Sequence, residues 1–306
     1  MNQGELSALV YPETALRDGN FVFPDSVRYV RIDVGLSSHA SHSAWFLDLY
    51  KDRCSVGIEP DPRCCKDLVY GSDSYPECKR LIINKQVIRH NNSDVCSLDS
   101  RFILINCAIS DVIAPTQLPF YLTDAQLTGS NNQYKVFGAS SLHEPTPLHP
   151  AGGYSTQNVV AIPLSEIIKA IPDRFHFIEE IKVDTEGHDY QVLKSAGEFI
   201  KKAVYVTVES GTNAPRHHLG VVVDSKNSTR SVIQNYMKNM GFRVDFEDAD
   251  DQRYINVHLQ QLVRLHGLNT NGDPIILEGK TSRRKRIKFK TKRFFRGIIK
   301  NHIFRV

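Results

Sequence analysis

Tyr29-Val30-Arg31-Ile32-Asp33-Val34-Gly35 is a compact, largely apolar run that stops on an acid and a glycine. A segment follows in which Ala44, Phe46, Leu47 and Tyr50 recur at helical spacing. Cys54-Ser55-Val56-Gly57-Ile58 then repeats the strand pattern and closes on Glu59-Pro60-Asp61-Pro62, where proline forces a stop. Short β-branched runs alternating with helical periods specify a mostly parallel sheet covered by helices on both faces. In such a sheet, ligands bind outside the carboxyl ends of the strands, where the strand order reverses. Gly35 at the first strand end lets the backbone approach a ligand, because it has no Cβ. Glu59 at the second is placed to accept hydrogen bonds from ribose hydroxyls.

The same alternation extends outward. Strands are expected at residues 102–109, 159–163, 180–183 and 203–208, and residues 117–122 are expected to pair beside the first of these. Helices are expected at 164–170, 190–196 and 230–240, the last two stopped by Gly197 and Gly241. Residues 242–246 and 254–259 predict a final antiparallel hairpin. Residues 71–100 read as a polar insertion around one strand, 81–88. Residues 127–155 are rich in Gly, Ser, Asn, Pro and His without sustained period, which predicts a lid or substrate loop.

Two chemistries fit a strand-end glycine followed by a strand-end acid. A nicotinamide-dependent oxidoreductase needs three glycines in GxGxxG, whereas Gly35-Leu36-Ser37-Ser38-His39-Ala40 supplies only the first. S-adenosyl-L-methionine has no pyrophosphate and needs no phosphate cradle. Its sulfonium and amino group are cationic, which suits Asp33 beside the glycine. A non-catalytic cofactor-binding protein on the same scaffold is a third reading, since fold does not fix function.

Ile181-Lys182-Val183-Asp184-Thr185-Glu186-Gly187-His188-Asp189 gathers carboxylates and a histidine where another strand reaches the ligand edge. Methyl transfer needs a base for the acceptor's proton and groups that align the attack. His188 or Asp184 can be that base, and Glu186 can orient donor or acceptor. The plainer reading is that Asp184 caps the next helix while Glu186 and Asp189 favour its N-terminus.

Together these segments resemble the FkbM family of methyltransferases, which pairs a strand-end "DVG" with an "EPDP"-like segment, an "SSL" and an "IKVDTEGHDYQVLKSAG"-like block. Here they stand at residues 33–35, 59–62, 140–142 and 181–197, with Glu209 ending the next strand. The resemblance covers roughly residues 28–260 and implies a Rossmann-like class I methyltransferase fold with S-adenosyl-L-methionine as cofactor. It also implies O-methylation of a sugar, glycan or other small-molecule hydroxyl. By matching position it assigns Asp33, Gly35 and Ser37 to the donor loop, Glu59 and Asp61 to the ribose side, and Asn106 and Ala108, in the "NCAISD" segment, to the adenine side. The family's loop reads close to DVGxNxG, and here Ser37 and His39 replace the asparagine and the last glycine.

Composition bounds the rest. At 306 residues, with 41% hydrophobic and 24% charged content, the chain can bury one substantial core. No apolar run approaches the roughly 18 residues of a membrane span, and the start lacks a signal-peptide layout, so a cytoplasmic protein is expected. The six cysteines lie between positions 54 and 107 in no zinc pattern, and free thiols are expected. His143, His149, His217 and His218 lie in loop-like segments without ligand spacing and read as satisfied or solvent-facing, so no metal is expected. Residues 281–306 hold eleven Lys or Arg and no acid, which leaves the remaining chain at −7 against a net +4. The organisation read from this is an N-terminal extension, 1–27, a methyltransferase domain, 28–280, and a basic amphipathic tail. Ile287, Phe289, Phe294, Phe295, Ile298, Ile299, Ile303 and Phe304 interleave the tail's charge. An anionic membrane surface is its expected partner. Nucleic acid is less favoured by the acidic body, and packing on that body is the third alternative.

Overall fold

The computed structural model describes residues 6, 9–11, 15–38, 40–70, 86–90, 93–97, 100–123, 125–129, 132–136, 140–144, 154–210, 216–218, 221–223, 230–248 and 251–260. The expectations for His39, His149 and the tail 281–306 lie outside these residues. The first half holds β1 (Val10–Tyr11), β2 (Leu16–Arg17), β3 (Asn20–Phe21), β4 (Tyr29–Val34), α1 (Ser41–Leu49), β5 (Arg53–Ile58) and α2 (Pro62–Tyr70). There follow β6 (Gln86–His90), β7 (Ser93–Ser97), β8 (Phe102–Ile105), β9 (Ala108–Ile109), β10 (Thr116–Thr123), β11 (Ala125–Gly129) and β12 (Asn132–Val136). Next come β13 (Tyr154–Ile162), α3 (Leu164–Lys169), β14 (Ile178–Val183), α4 (Asp189–Ala196), a 3-10 turn (Gly197–Lys202) and β15 (Ala203–Val208). The described chain ends with β16 (Arg216–His218), β17 (Val221–Val223), α5 (Arg230–Asn239), β18 (Phe242–Glu247) and β19 (Gln252–Asn256).

One eight-stranded sheet runs in the order β1-β8-β5-β4-β14-β15-β19-β18. Its centre, β8 to β15, is parallel; β1 and β19 run against it, and β18, antiparallel to β19, runs with it again. The chain steps from β4 to β5 to β8 on one side, then returns to β14 on the other side of β4. Strand order therefore reverses between β4 and β14, which is where such folds bind ligands.

Strand alternation explains why the sheet is buried on both faces. Ile103 and Ile105 of β8 join one hydrophobic cluster, whereas Phe102 and Leu104 join the other. Ala44, Phe46 and Leu47 of α1, with Cys65 and Leu68 of α2, cover one face. Leu164, Ile167 and Ile168 of α3, Val192, Leu193 and Ala196 of α4, and Ile233 and Met237 of α5 cover the other. Each Leu, Ile, Val, Phe or Met among them, taken fully from water, contributes about 1.5–3 kcal/mol. Leu6, Val10, Phe21, Phe23 and Val27, from the segment set apart by sequence as an extension, are buried in the larger cluster.

The run 102–109 is not one strand. Asn106 interrupts it, and β9 leaves the main sheet to pair in parallel with β13, in a second sheet of order β10-β13-β9. Residues 117–122, within β10, pair antiparallel with β13 rather than beside 102–105. Of residues 71–100, the described part holds a hairpin, β6–β7, rather than one strand, and the start of the strand expected at 81–88 lies outside the described residues. The expected loop 127–155 contains most of the β11–β12 hairpin. Both differences have one cause: hairpins close through backbone pairing and need little apolar alternation. Among the described residues, no helix is long and apolar enough to cross a membrane.

Candidate active site

The strand-end residues extend the sheet ladder by one step. Glu59 N–H donates to Ile105 O, Gly35 N–H to Ile58 O, Asp184 N–H to Val34 O and Glu209 N–H to Val183 O, each at 3.0 Å. Glu59, Gly35, Asp184 and Glu209 therefore stand side by side along the carboxyl edge of β5, β4, β14 and β15. Gly35 has φ +83°, and a Cβ there would lie 1.8 Å from the carbonyl oxygen of Asp184. No other residue lets β4 and β14 approach so closely.

On the β5 side, Glu59 is buried. Its Oε2 accepts the Ser37 N–H and its Oε1 the Asp61 N–H, both at 2.8 Å. Burial, with the neighbouring Asp61 carboxylate, pushes the Glu59 carboxyl up to about 7, against the pull of its backbone donors. Ser37 has φ +54°, a region where asparagine is more at ease than serine. Asp61 is fully buried and forked by Arg63, Nε to Oδ1 at 3.0 Å and Nη2 to Oδ2 at 2.8 Å. Asn106 Nδ2 donates to Glu59 O at 2.9 Å and to Pro60 O at 3.3 Å, so the residue that breaks the strand also holds this loop.

Beneath α1, cross-strand register aligns Lys182 with Asp33 and Glu180 with Arg31. Asp33 Oδ2 accepts the Ser43 hydroxyl at 2.7 Å, while its buried Oδ1, without a hydrogen-bond partner, lies 3.6 Å from Lys182 Nζ. Lys182 Nζ donates to Asp184 Oδ2 at 3.1 Å. Burial alone would lower that ammonium, but Asp184, Asp33 and Glu209 outweigh it and raise its pKa. Arg31 pairs with Glu180 and stacks on the Phe46 ring, 4.5 Å from its centroid.

On the β14 side, carboxylate oxygens of Asp184, Glu186 and Glu209 lie within 4.8 Å of one another. Lys182 meets this group through Asp184, and three carboxylates gathered at one strand edge suit a cationic ligand. Glu186 has φ +52°, followed by Gly187 at +97°. A non-glycine residue held there costs about 1–3 kcal/mol, the kind of strain that clusters at functional sites. His188 is buried and both ring nitrogens are engaged, Nε2 with Ser110 Oγ at 2.9 Å and Nδ1 with His143 Nε2 at 3.2 Å. Burial, and then His143, push His188 down to about 3. A short strap joins the two sides: Ser140 Oγ donates to Asp61 Oδ2 at 3.4 Å, and Ser141 Oγ to Glu186 O at 3.1 Å.

A family model described as "Methyltransferase FkbM domain" matches residues 33–244. The chain belongs to the FkbM methyltransferase family. No curated protein matches it significantly. A solved structure described as "Structure of an antibiotic related Methyltransferase" aligns over 75% of this chain and 86% of its own, at 8% identity and TM-score 0.29, a likeness too slight to bear on function.

In this methyltransferase the structure brings Gly35, Ser37, Glu59 and Asp61 together at one end of the edge, and Asp184 and Glu186 at the other. Asp33 lies behind the edge and reaches it only through Lys182. Asn106 positions the Glu59 loop, and Ala108 packs with Phe120, Leu122 and Ala161. The capping reading shifts by residue: Asp189, not Asp184, accepts the Thr185 N–H at 2.9 Å, and His188 at the N-cap makes no side-chain cap bond. Sequence reasoning passed over Ser110 and treated His143 as a bystander. Lys182 went unremarked, although a lysine inside a buried strand is itself a signal, because an ammonium there needs a partner.

Proposed function

We propose that this methyltransferase uses S-adenosyl-L-methionine to methylate a hydroxyl of a sugar, glycan or other small molecule. The observation that carries this reading is the row Glu59, Gly35, Asp184 and Glu209, with an acceptor carboxylate at one end and a cluster of three carboxylates at the other. A carboxylate offers about four acceptor positions. Backbone donors at Leu36, Ser37 and Asp61 use three of Glu59's, so one further donor, such as a ribose hydroxyl, fits. Gly35 would let the cofactor pass close to the backbone, and the Asp184–Glu186–Glu209 cluster would hold its amino group and sulfonium. When bound, the cofactor supplies an electrophilic methyl group. The chain's own part is to orient the two reactants and to receive the acceptor's proton.

Calorimetry tests the reading. The protein should bind S-adenosyl-L-methionine and its demethylated product but not NAD, and Glu59→Ala should weaken binding by about 1–3 kcal/mol, the cost of unpaired polar groups. Tight NAD binding without response to S-adenosyl-L-methionine would overturn it.

A further inference from the structure

We propose that Ser110, His188 and His143 form a one-way proton relay whose receiving end is the Ser110 hydroxyl, so that His188 acts through Ser110 rather than on the acceptor directly. The inference rests on the O-methylation reading above and deepens it.

The direction belongs to the proposal and follows from one assignment of tautomers. Burial favours the neutral form of both rings, lowering His143 as well as His188. A neutral imidazole has one N–H and one lone pair. His143 bonds the backbone of Gly187 in the sense that favours its protonated form, so a ring N–H donates to that carbonyl. Because Nε2 of His143 faces His188, the relay assigns the Gly187 bond to Nδ1–H and the lone pair to Nε2. His188 must then donate from Nδ1, which leaves its own Nε2 as the acceptor for the Ser110 hydroxyl. In the proposed relay every proton points from Ser110 towards Gly187, and the Ser110 oxygen is left as the basic end. Three groups linked in this order follow the logic of an oriented base activating a hydroxyl.

Placement supports the role. Residues 106–110 run from the Glu59 loop, through the Asn106 bonds, to His188. His143 is less buried than His188 and hangs from the strap, its backbone N–H donating to Ser141 Oγ at 3.1 Å while Ser141 Oγ itself donates to Glu186 O. The acceptor O–H bond breaks, and its proton passes to Ser110 Oγ as Ser110's own proton passes to His188 Nε2. The electron pair left on the acceptor oxygen forms the new bond to carbon, while the carbon–sulfur bond breaks towards sulfur. His188, now cationic, shares its Nδ1 proton with His143, the outer ring of the pair.

The test is a long-range 1H–15N correlation spectrum of the full chain with 15N-labelled histidines, assigned with His188→Asn. Both His188 and His143 should appear as neutral Nδ1–H tautomers. Ser110→Ala should move the Nε2 resonance of His188, and His143→Leu should erase the His188 tautomer preference. His143→Gln, whose carbonyl can accept from Nδ1–H, should preserve that preference. Saturating S-adenosylhomocysteine should shift His188 Nε2 in the wild type but not in Ser110→Ala. A His188 Nε2–H tautomer, or no shift although calorimetry shows the ligand bound, would overturn the relay and leave the cofactor reading standing. Absence of S-adenosylhomocysteine binding with the Nδ1–H pattern intact would instead sink the cofactor reading.

Discussion

Replacing Glu59 by glutamine changes one buried group and leaves its volume intact. Both carboxylate oxygens accept backbone N–H groups at 2.8 Å, yet burial still lifts the folded-state pKa from 4.5 to about 7. Below pH 4.5 the carboxyl is protonated in both states, and its contribution to stability is fully present. Between pH 4.5 and 7 the unfolded chain releases the proton that the folded protein keeps, so stability falls as pH rises, and above 7 the loss is complete. At about 1.4 kcal/mol per tenfold change, the loss amounts to about 3 kcal/mol. Glutamine cannot titrate, so Glu59→Gln lacks this component. It opposes an N–H to either the Ser37 or the Asp61 N–H, at a cost of about 1–3 kcal/mol at every pH. Urea unfolding of both proteins from pH 4.5 to 8 isolates the effect, because other titrating groups cancel in the difference. The wild type should lose about 3 kcal/mol relative to Glu59→Gln across that range. A pH-independent difference would refute the reasoning, because it would mean that the buried carboxyl titrates alike in both states.

Three further outcomes are expected. Gly35→Ala should cost more than the ~1–2 kcal/mol of a left-handed backbone alone, because β4 and β14 must also part to clear the Asp184 carbonyl; urea midpoints measure it, and a near-neutral result would contradict the close approach. Lys182→Met should cost about 3–5 kcal/mol by leaving Asp33 and Asp184 without their ammonium, and adding Asp33→Asn should recover part of it in thermal or urea melts. For the tail, each Lys or Arg near an anionic bilayer is worth about 1 kcal/mol, so the full chain should float with anionic but not neutral vesicles, and a chain ending at Lys280 should not. Equal flotation of the two would remove the membrane role proposed for residues 281–306.

Reading and structure agree where local pattern decides conformation. The bounds of β4 and β15, and the stops at Gly197 and Gly241, follow from periodicity and breakers a few residues apart. The resemblance likewise brought Glu59, Asp184 and Glu209 to strand ends, since an acid closing an apolar run is visible in one dimension. Asn106 was legible as a residue but not as a strand breaker, because its side chain breaks β8 from β9 by bonding carbonyls of a distant loop. His188 illustrates the limit most clearly. Its position in the 181–189 block marked it as a base, yet its nitrogens are spoken for by Ser110 and His143, 78 and 45 residues away in the chain. Lys182 meets Asp33 only because the register of β14 on β4 sets them opposite each other. Amino-acid order thus determined which segments become strands and helices and which acids end them, because those choices depend on neighbours within a turn or two. Only the tertiary structure decided which charges pair and which histidine is already engaged, because those depend on strand register and on groups that the chain carries far apart.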